Sequence, residues 1–119
     1  MTEMVSEHFS VKELRCPCCG DIKMDSQFMN ELETFRRLLG RPIVITSAYR
    51  CNAHNKKVGG TPNSLHLFGR AVDIAHPESW SAYTLVEIAV RNRFGGIGVA
   101  KSFIHIDNRP ISNARLWTY

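Results

Sequence analysis

Apolar positions recur with a helical period between Asp25 and Gly40: Phe28, Leu32, Phe35 and Leu39 follow one another at spacings of four, three and four. This predicts a helix capped by Asp25, ending at Leu39 and closed by Gly40, with that face in the core. Upstream, Ser10-Val11-Lys12-Glu13 has the Ser-x-x-Glu form of a capping box and predicts a short helix. After Gly40 the pattern changes. Pro42-Ile43-Val44-Ile45-Thr46 is short and β-branched, and reads as a buried strand. Ser47 to Lys57 reads as a turn and a short helix, and Gly59-Gly60-Thr61-Pro62-Asn63-Ser64 as loop. Arg70-Ala71-Val72-Asp73-Ile74 is a strand with alternating faces. A second helix is expected from Pro77 to about Arg93, with Leu85, Ile88, Ala89 and Asn92 on one stripe. Gly95–Val99 and Ser102–Asp107 form a β-hairpin pattern. The sum is an α+β domain: a small antiparallel sheet with helices packed on it.

Length and composition fit that picture. A chain of 119 residues with 44% hydrophobic content is expected to fold as a single domain, 1–119, with a buried core of its own. The formal net charge is +4, but the basic residues are scattered, with Arg36-Arg37 and Lys56-Lys57 as the longest runs. This weighs against a nucleic-acid module and leaves either a solvated basic surface or weak attraction to a polyanion. The first residues, Met1-Thr2-Glu3-Met4-Val5-Ser6-Glu7-His8, lack the basic lead and apolar centre of a signal peptide. No run is long enough to span a membrane. The expectation is synthesis in the cytosol, release by another agent if the protein acts outside, and a monomer.

Three polar residues interrupt apolar surroundings. His66 lies between Leu65 and Leu67, Asp73 between Val72 and Ile74, and His105 between Ile104 and Ile106. Burying such groups is costly unless each is paired or bound to a metal. Two imidazoles and a carboxylate are a donor set for catalytic zinc with a fourth position left to water. Alternation puts Phe103, His105 and Asp107 on one strand face and Ile104 and Ile106 on the other.

Ordered motifs extend around these residues: Ser47-Ala48-Tyr49-Arg50, His54-Asn55, Val58 through His66, Gly69 through Ile74, Gly96-Ile97-Gly98-Val99, and Phe103 through Arg109. In this order they resemble the M15 family of zinc D-Ala-D-Ala carboxypeptidases, in particular its small phage and bacterial branch, over roughly residues 8 to 110. The resemblance implies a zinc D-Ala-D-Ala carboxypeptidase or hedgehog-like fold. It implies a Zn2+-dependent peptidase acting on stem or cross-link peptides of peptidoglycan, either as a carboxypeptidase or as an endopeptidase. The family's metal ligands fall on His66, Asp73 and His105. Arg50 stands where the family has an arginine, which can grip a substrate carboxylate or stabilise an oxyanion.

One departure matters. Better-known members carry an acid three residues before the last histidine ligand, and this chain has Ser102 there. Asp107 is the nearest carboxylate: a general base, a group orienting an imidazole, or a turn contact to Arg109. His54 is a further candidate proton carrier. Ser64 either caps its loop or contacts substrate, and His76 reads as exposed and idle. A non-catalytic wall-peptide-binding or phage structural protein of the same fold is the alternative.

Cys16-Pro17-Cys18-Cys19-Gly20 contains the Cys-Pro-x-Cys-Gly knuckle of a zinc ribbon, without a second knuckle. Cys51 follows Arg50. Free buried thiols, a disulfide from Cys51 to the knuckle, and a structural zinc held by Cys51 with Cys16, Cys18 or Cys19 all remain open. Residues 112–119 lie beyond the resemblance, and Leu116 and Trp117 are expected to pack on the core.

Overall fold

The computed structural model describes residues 2–76 and 82–119. Local signals at the two N-terminal helices act as expected. Helix α1 (Val11–Leu14) carries both bonds of its capping box, between Ser10 and Glu13. In α2 (Ser26–Leu39) the Asp25 carboxylate accepts from the Phe28 N–H at 2.9 Å, and Gly40 closes the helix at φ 74°. Phe28, Leu32 and Phe35 are fully buried, each contributing about 1.5–3 kcal/mol of transfer free energy. Helix α3 (Asn52–Lys57) follows, and α4 (Ala82–Arg91) buries Leu85, Ile88 and Ala89. The Asn92 side chain donates to the Ile88 carbonyl at 2.9 Å beyond its end. The expected start of that helix at Pro77 lies outside the described residues.

Among the described residues the sheet has five strands: β1 (Ile45–Ser47), β2 (Ala71–Ala75), β3 (Gly96–Val99), β4 (Phe103–Asp107) and β5 (Arg115–Thr118), in the order β1-β2-β4-β3-β5. The β3–β4 hairpin and the β2–β4 pair are antiparallel. The fold is α+β, but the sheet is mixed, because β5 runs parallel to β3.

Two expectations for individual strands change. The stretch from Pro42 forms a strand only from Ile45, and Val44 is 63% exposed. Among the described residues β1 pairs only with β2, so it is an edge strand; Pro42 has no N–H to pair. β2, by contrast, is buried along both faces over Ala71–Ile74. One face sends Val72 and Ile74, with Ile97, Ile104 and Ile106, into the core. The other carries Asp73 opposite His105, beside Asp107. Phe94 meets both Phe28 and Phe35 edge-on, at 5.9 and 6.0 Å between ring centroids, linking the segment after α4 to α2.

Candidate metal centre and cleft

Strand pairing places Asp73 and His105 directly opposite each other on β2 and β4. A 3-10 turn at Leu65–Phe68 brings in His66, with the Ser64 hydroxyl accepting from the His66 N–H at 3.2 Å. Ser64 therefore performs the capping role, and it also lines the cleft. All three candidate ligands are buried. Asp73 Oδ1 stands 3.2 Å from His66 Nε2 and 3.1 Å from His105 Nδ1.

The outer nitrogens of both rings face fixed acceptors. His66 Nδ1 lies 2.6 Å from the Ala48 carbonyl, and His105 Nε2 lies 2.7 Å from Asp107 Oδ2. Neither acceptor can donate, so each outer nitrogen carries the proton and donates. The inner nitrogens are left with lone pairs aimed at a carboxylate oxygen. Three electron-pair donors this close need a cation among them, a proton or a metal ion. This donor set fits a divalent metal ion.

With a proton as that cation, a ring donates inward to Asp73 instead. Burial alone would raise the Asp73 pKa, but His105 and His66 outweigh it and hold the carboxyl well below the usual carboxylate range. Burial opposes charge on His105, yet Asp107 and Asp73 on either side raise its pKa above the ordinary value.

Asp107 is fully buried behind His105. Oδ1 accepts from the Arg109 backbone N–H at 3.1 Å and from Arg109 Nε at 2.9 Å, while Oδ2 accepts from Arg109 Nη2 at 2.8 Å as well as from His105. Desolvation raises its pKa, but His105 and Arg109 prevail and hold it well below the usual range. This geometry bears on the expectations for Asp107, which were a general base, a group orienting an imidazole, or a turn contact to Arg109. Both oxygens are occupied, and the carboxylate sits on the far side of the ring from the donor trio. Its position is that of a group orienting His105, with the anticipated Asp107–Arg109 contact on its other side.

Arg50 reaches the trio from the segment between β1 and α3. Its Nη2 donates to Asp73 Oδ2 at 3.1 Å, Nε to Ser47 Oγ at 3.0 Å, and Nη1 to Asn55 Oδ1 at 3.2 Å. Asn55 is a site residue that the sequence marked only as part of the His54-Asn55 motif, with no role assigned. It is buried, and its amide also donates to the Thr61 carbonyl at 2.8 Å, tying Arg50 to the loop that leads to His66. A lone asparagine in a basic helix gives no signal of this. His54 is half-buried on the same helix and is not among the cleft-lining residues, so the structure does not bring it to the trio. His76 is not idle: its Nε2 donates to the Ala100 carbonyl at 3.0 Å.

The cleft over the trio has a volume of about 1080 Å³. Its far wall comes from the C-terminal strand, which corrects the expectation for Leu116 and Trp117. Leu116 is 70% exposed, and Trp117 packs against the His105 ring at 5.1 Å and beneath the Arg109 guanidinium at 5.2 Å. Two glycines make this wall possible. A Cβ on Gly96 would stand 2.1 Å from the Asp107 carboxylate, and one on Gly98 would stand 2.5 Å from Trp117 Nε1. The cleft-lining ionisable groups besides the trio are Arg50, Asp107, Arg109, Arg115 and Tyr119. Ser102 is exposed, with its carbonyl accepting from the His76 N–H at 3.1 Å.

Two imidazoles and a carboxylate at the floor of a basic cleft form a candidate centre for metal-assisted hydrolysis. A family model described as Peptidase M15 matches residues 7–107, and the chain belongs to the M15 peptidases, a family of metallopeptidases. A search of the curated proteins finds no match. No helix among the described residues is long and apolar enough to cross a membrane.

Proposed function

We propose that this protein is a zinc-dependent peptidase that hydrolyses peptidoglycan peptides, removing a terminal D-Ala or cutting within a stem or cross-link peptide. The observation that carries the reading is the tautomer arrangement: Ala48 and Asp107 fix the outer nitrogens of His66 and His105, so both lone pairs converge with Asp73 at the cleft floor. His66 Nε2, His105 Nδ1 and an Asp73 oxygen would hold the ion. When bound, zinc would supply a Lewis acid that brings the pKa of water toward neutrality and polarises the scissile carbonyl.

The chain's own residues do the rest. Arg109 neutralises Asp107, and Asp107 in turn holds the His105 ring in its ligating orientation. Arg50, steadied by Ser47 and Asn55, places a guanidinium edge beside the trio, where a developing oxyanion or a substrate carboxylate would be met by paired N–H donors. Arg115 and Trp117 on the opposite wall offer a cation and an aromatic face to a short anionic peptide.

A second reading is favoured by a specific observation. The carboxylates lining the cleft are Asp73 and Asp107, both engaged, and Ser102 stands where the family's acid is expected. On that reading the protein binds wall peptides without turnover. Incubating zinc-loaded protein with defined muropeptides, with and without chelator, and following products by mass spectrometry decides between the two. Chelator-sensitive loss of D-Ala or internal cleavage supports the peptidase. Intact substrate with zinc still bound refutes turnover and leaves the binding reading.

A further inference from the structure

The cysteines form a second cluster, separate from the cleft. The Sγ atoms of Cys16, Cys19 and Cys51 all lie within 4.8 Å of one another. Cys16 and Cys51 are unbonded free thiols with sulfurs 3.7 Å apart, across 35 residues of sequence. Zinc–thiolate bonds of about 2.3 Å in a tetrahedron separate their sulfurs by about 3.8 Å, so this spacing is that of a coordination edge.

Backbone N–H groups point at two of these sulfurs. The Cys51 N–H donates to Cys16 Sγ at 3.5 Å, and the His54 N–H donates to Cys51 Sγ at 3.5 Å. The knuckle closes on itself, with the Gly20 N–H donating to the Cys16 carbonyl at 2.8 Å and the Cys16 N–H to the Asp21 carbonyl at 2.8 Å. Gly20 takes φ 78°, a left-handed turn that suits glycine. Burial raises the Cys16 thiol, but the N–H groups of Cys51, Cys19 and Cys18 outweigh it and lower it to about 7.

We infer that Cys16, Cys19 and Cys51 bind a structural zinc-class divalent cation distinct from the cleft site, with the fourth position left to solvent. Each thiol releases its proton to solvent as its sulfur binds the ion, with no change in oxidation state. One knuckle thus supplies two sulfurs, and the fold adds a third from Cys51, the N-cap of α3. The ion would clamp the N-terminal knuckle to the residue after Arg50. It adds to the Tyr49 N–H, which already donates to the Leu14 carbonyl at 3.1 Å on the same path.

The test separates this site from the proposed cleft site by using ligation chemistry in place of activity. A His66→Ala/His105→Ala protein, kept reduced, is titrated with Co2+ alone and followed for thiolate-to-cobalt charge-transfer absorption. The expected result is saturable absorption at about one equivalent per chain. The same background carrying the exposed change Cys19→Ser, and separately Cys51→Ser, loses that absorption while its circular dichroism shows a folded chain. No absorption in the double-histidine protein with all cysteines titrating as free thiols, or unchanged absorption in Cys19→Ser, overturns the site. A protein isolated with Cys16 and Cys51 joined, and refractory to Co2+ after mild reduction, does so too.

Discussion

His105 donates its Nε2 proton to Asp107 over 2.7 Å, and this bond decides which ring nitrogen faces the cleft. Asp107 lies two residues further along the same strand face, so a single β-strand supplies both the candidate ligand and the group that sets its tautomer. Replacing Asp107 by Asn keeps an acceptor of similar shape and removes the charge. Metal affinity at the His66–Asp73–His105 centre is expected to fall about 10–100-fold, as read by competition against a chelator. Unchanged affinity would show that Arg109 and the strand alone hold the ring.

Gly96 leaves the space that Asp107 fills. A methyl group there would sit 2.1–2.3 Å from the carboxylate, so Gly96→Ala must displace Asp107 or the strand. The expected cost is about 1–3 kcal/mol in denaturant unfolding, as for overpacking of a filled interior, together with weaker metal binding. A variant as stable and as tightly metal-binding as the parent would contradict this packing.

Asn55 is predicted to act through Arg50. Asn55→Ala removes the acceptor of Arg50 Nη1 and the donor to the Thr61 carbonyl, costing about 1–3 kcal/mol of stability. If Arg50 grips the peptide, KM in the muropeptide assay should rise more than kcat falls. An effect on kcat alone would assign Arg50 to the transition state.

Acid sensitivity is predicted to run through Glu33, which joins α2 to the N-terminal segment. Its carboxylate accepts from Ser6 Oγ at 2.5 Å and the His8 N–H at 2.8 Å, and it lies 2.6 Å from His8 Nδ1. Burial raises the Glu33 pKa, but the Ser6 and His8 hydrogen bonds prevail and lower it. A pKa lowered by folding contributes stability above the unfolded value of about 4.3, and that contribution is lost as pH falls through the folded value. Glu33→Gln should therefore be less stable than the parent at neutral pH, with the gap closing as the medium is acidified. A gap that stays constant with pH would remove Glu33 from the acid response.

Much of this architecture was legible along the chain because its signals are local. Asp25 and Gly40 bound α2, and the Ser10–Glu13 capping box forms as the motif predicts, because caps are made by side chains a few residues apart. Strand alternation likewise set His105 and Asp107 on one face. Where expectation failed, the cause was long-range. In Pro42–Thr46 only Pro42, which lacks an N–H, hints at an edge strand, and it does not fix the pairing. That depends on which neighbour arrives, and only β2 does.

The cleft divides in the same way. Local apolar surroundings marked His66, Asp73 and His105 as costly polar groups, and the ordered motifs placed them with Arg50 in the M15 pattern. Tertiary structure set Asp107 behind His105, with Arg109 folding back onto its oxygens. It kept His54 out of the cleft and brought Asn55 to Arg50. It also built a wall from Trp117, whose strand pairs parallel with β3 across the chain. The sequence by itself determined the elements and the identity of the polar groups that require partners, since caps, periodicity and the cost of burial act within a few residues. Only the tertiary structure decided which partners those groups receive, because a hydrogen bond of about 3 Å depends on strand pairing between segments distant in the chain.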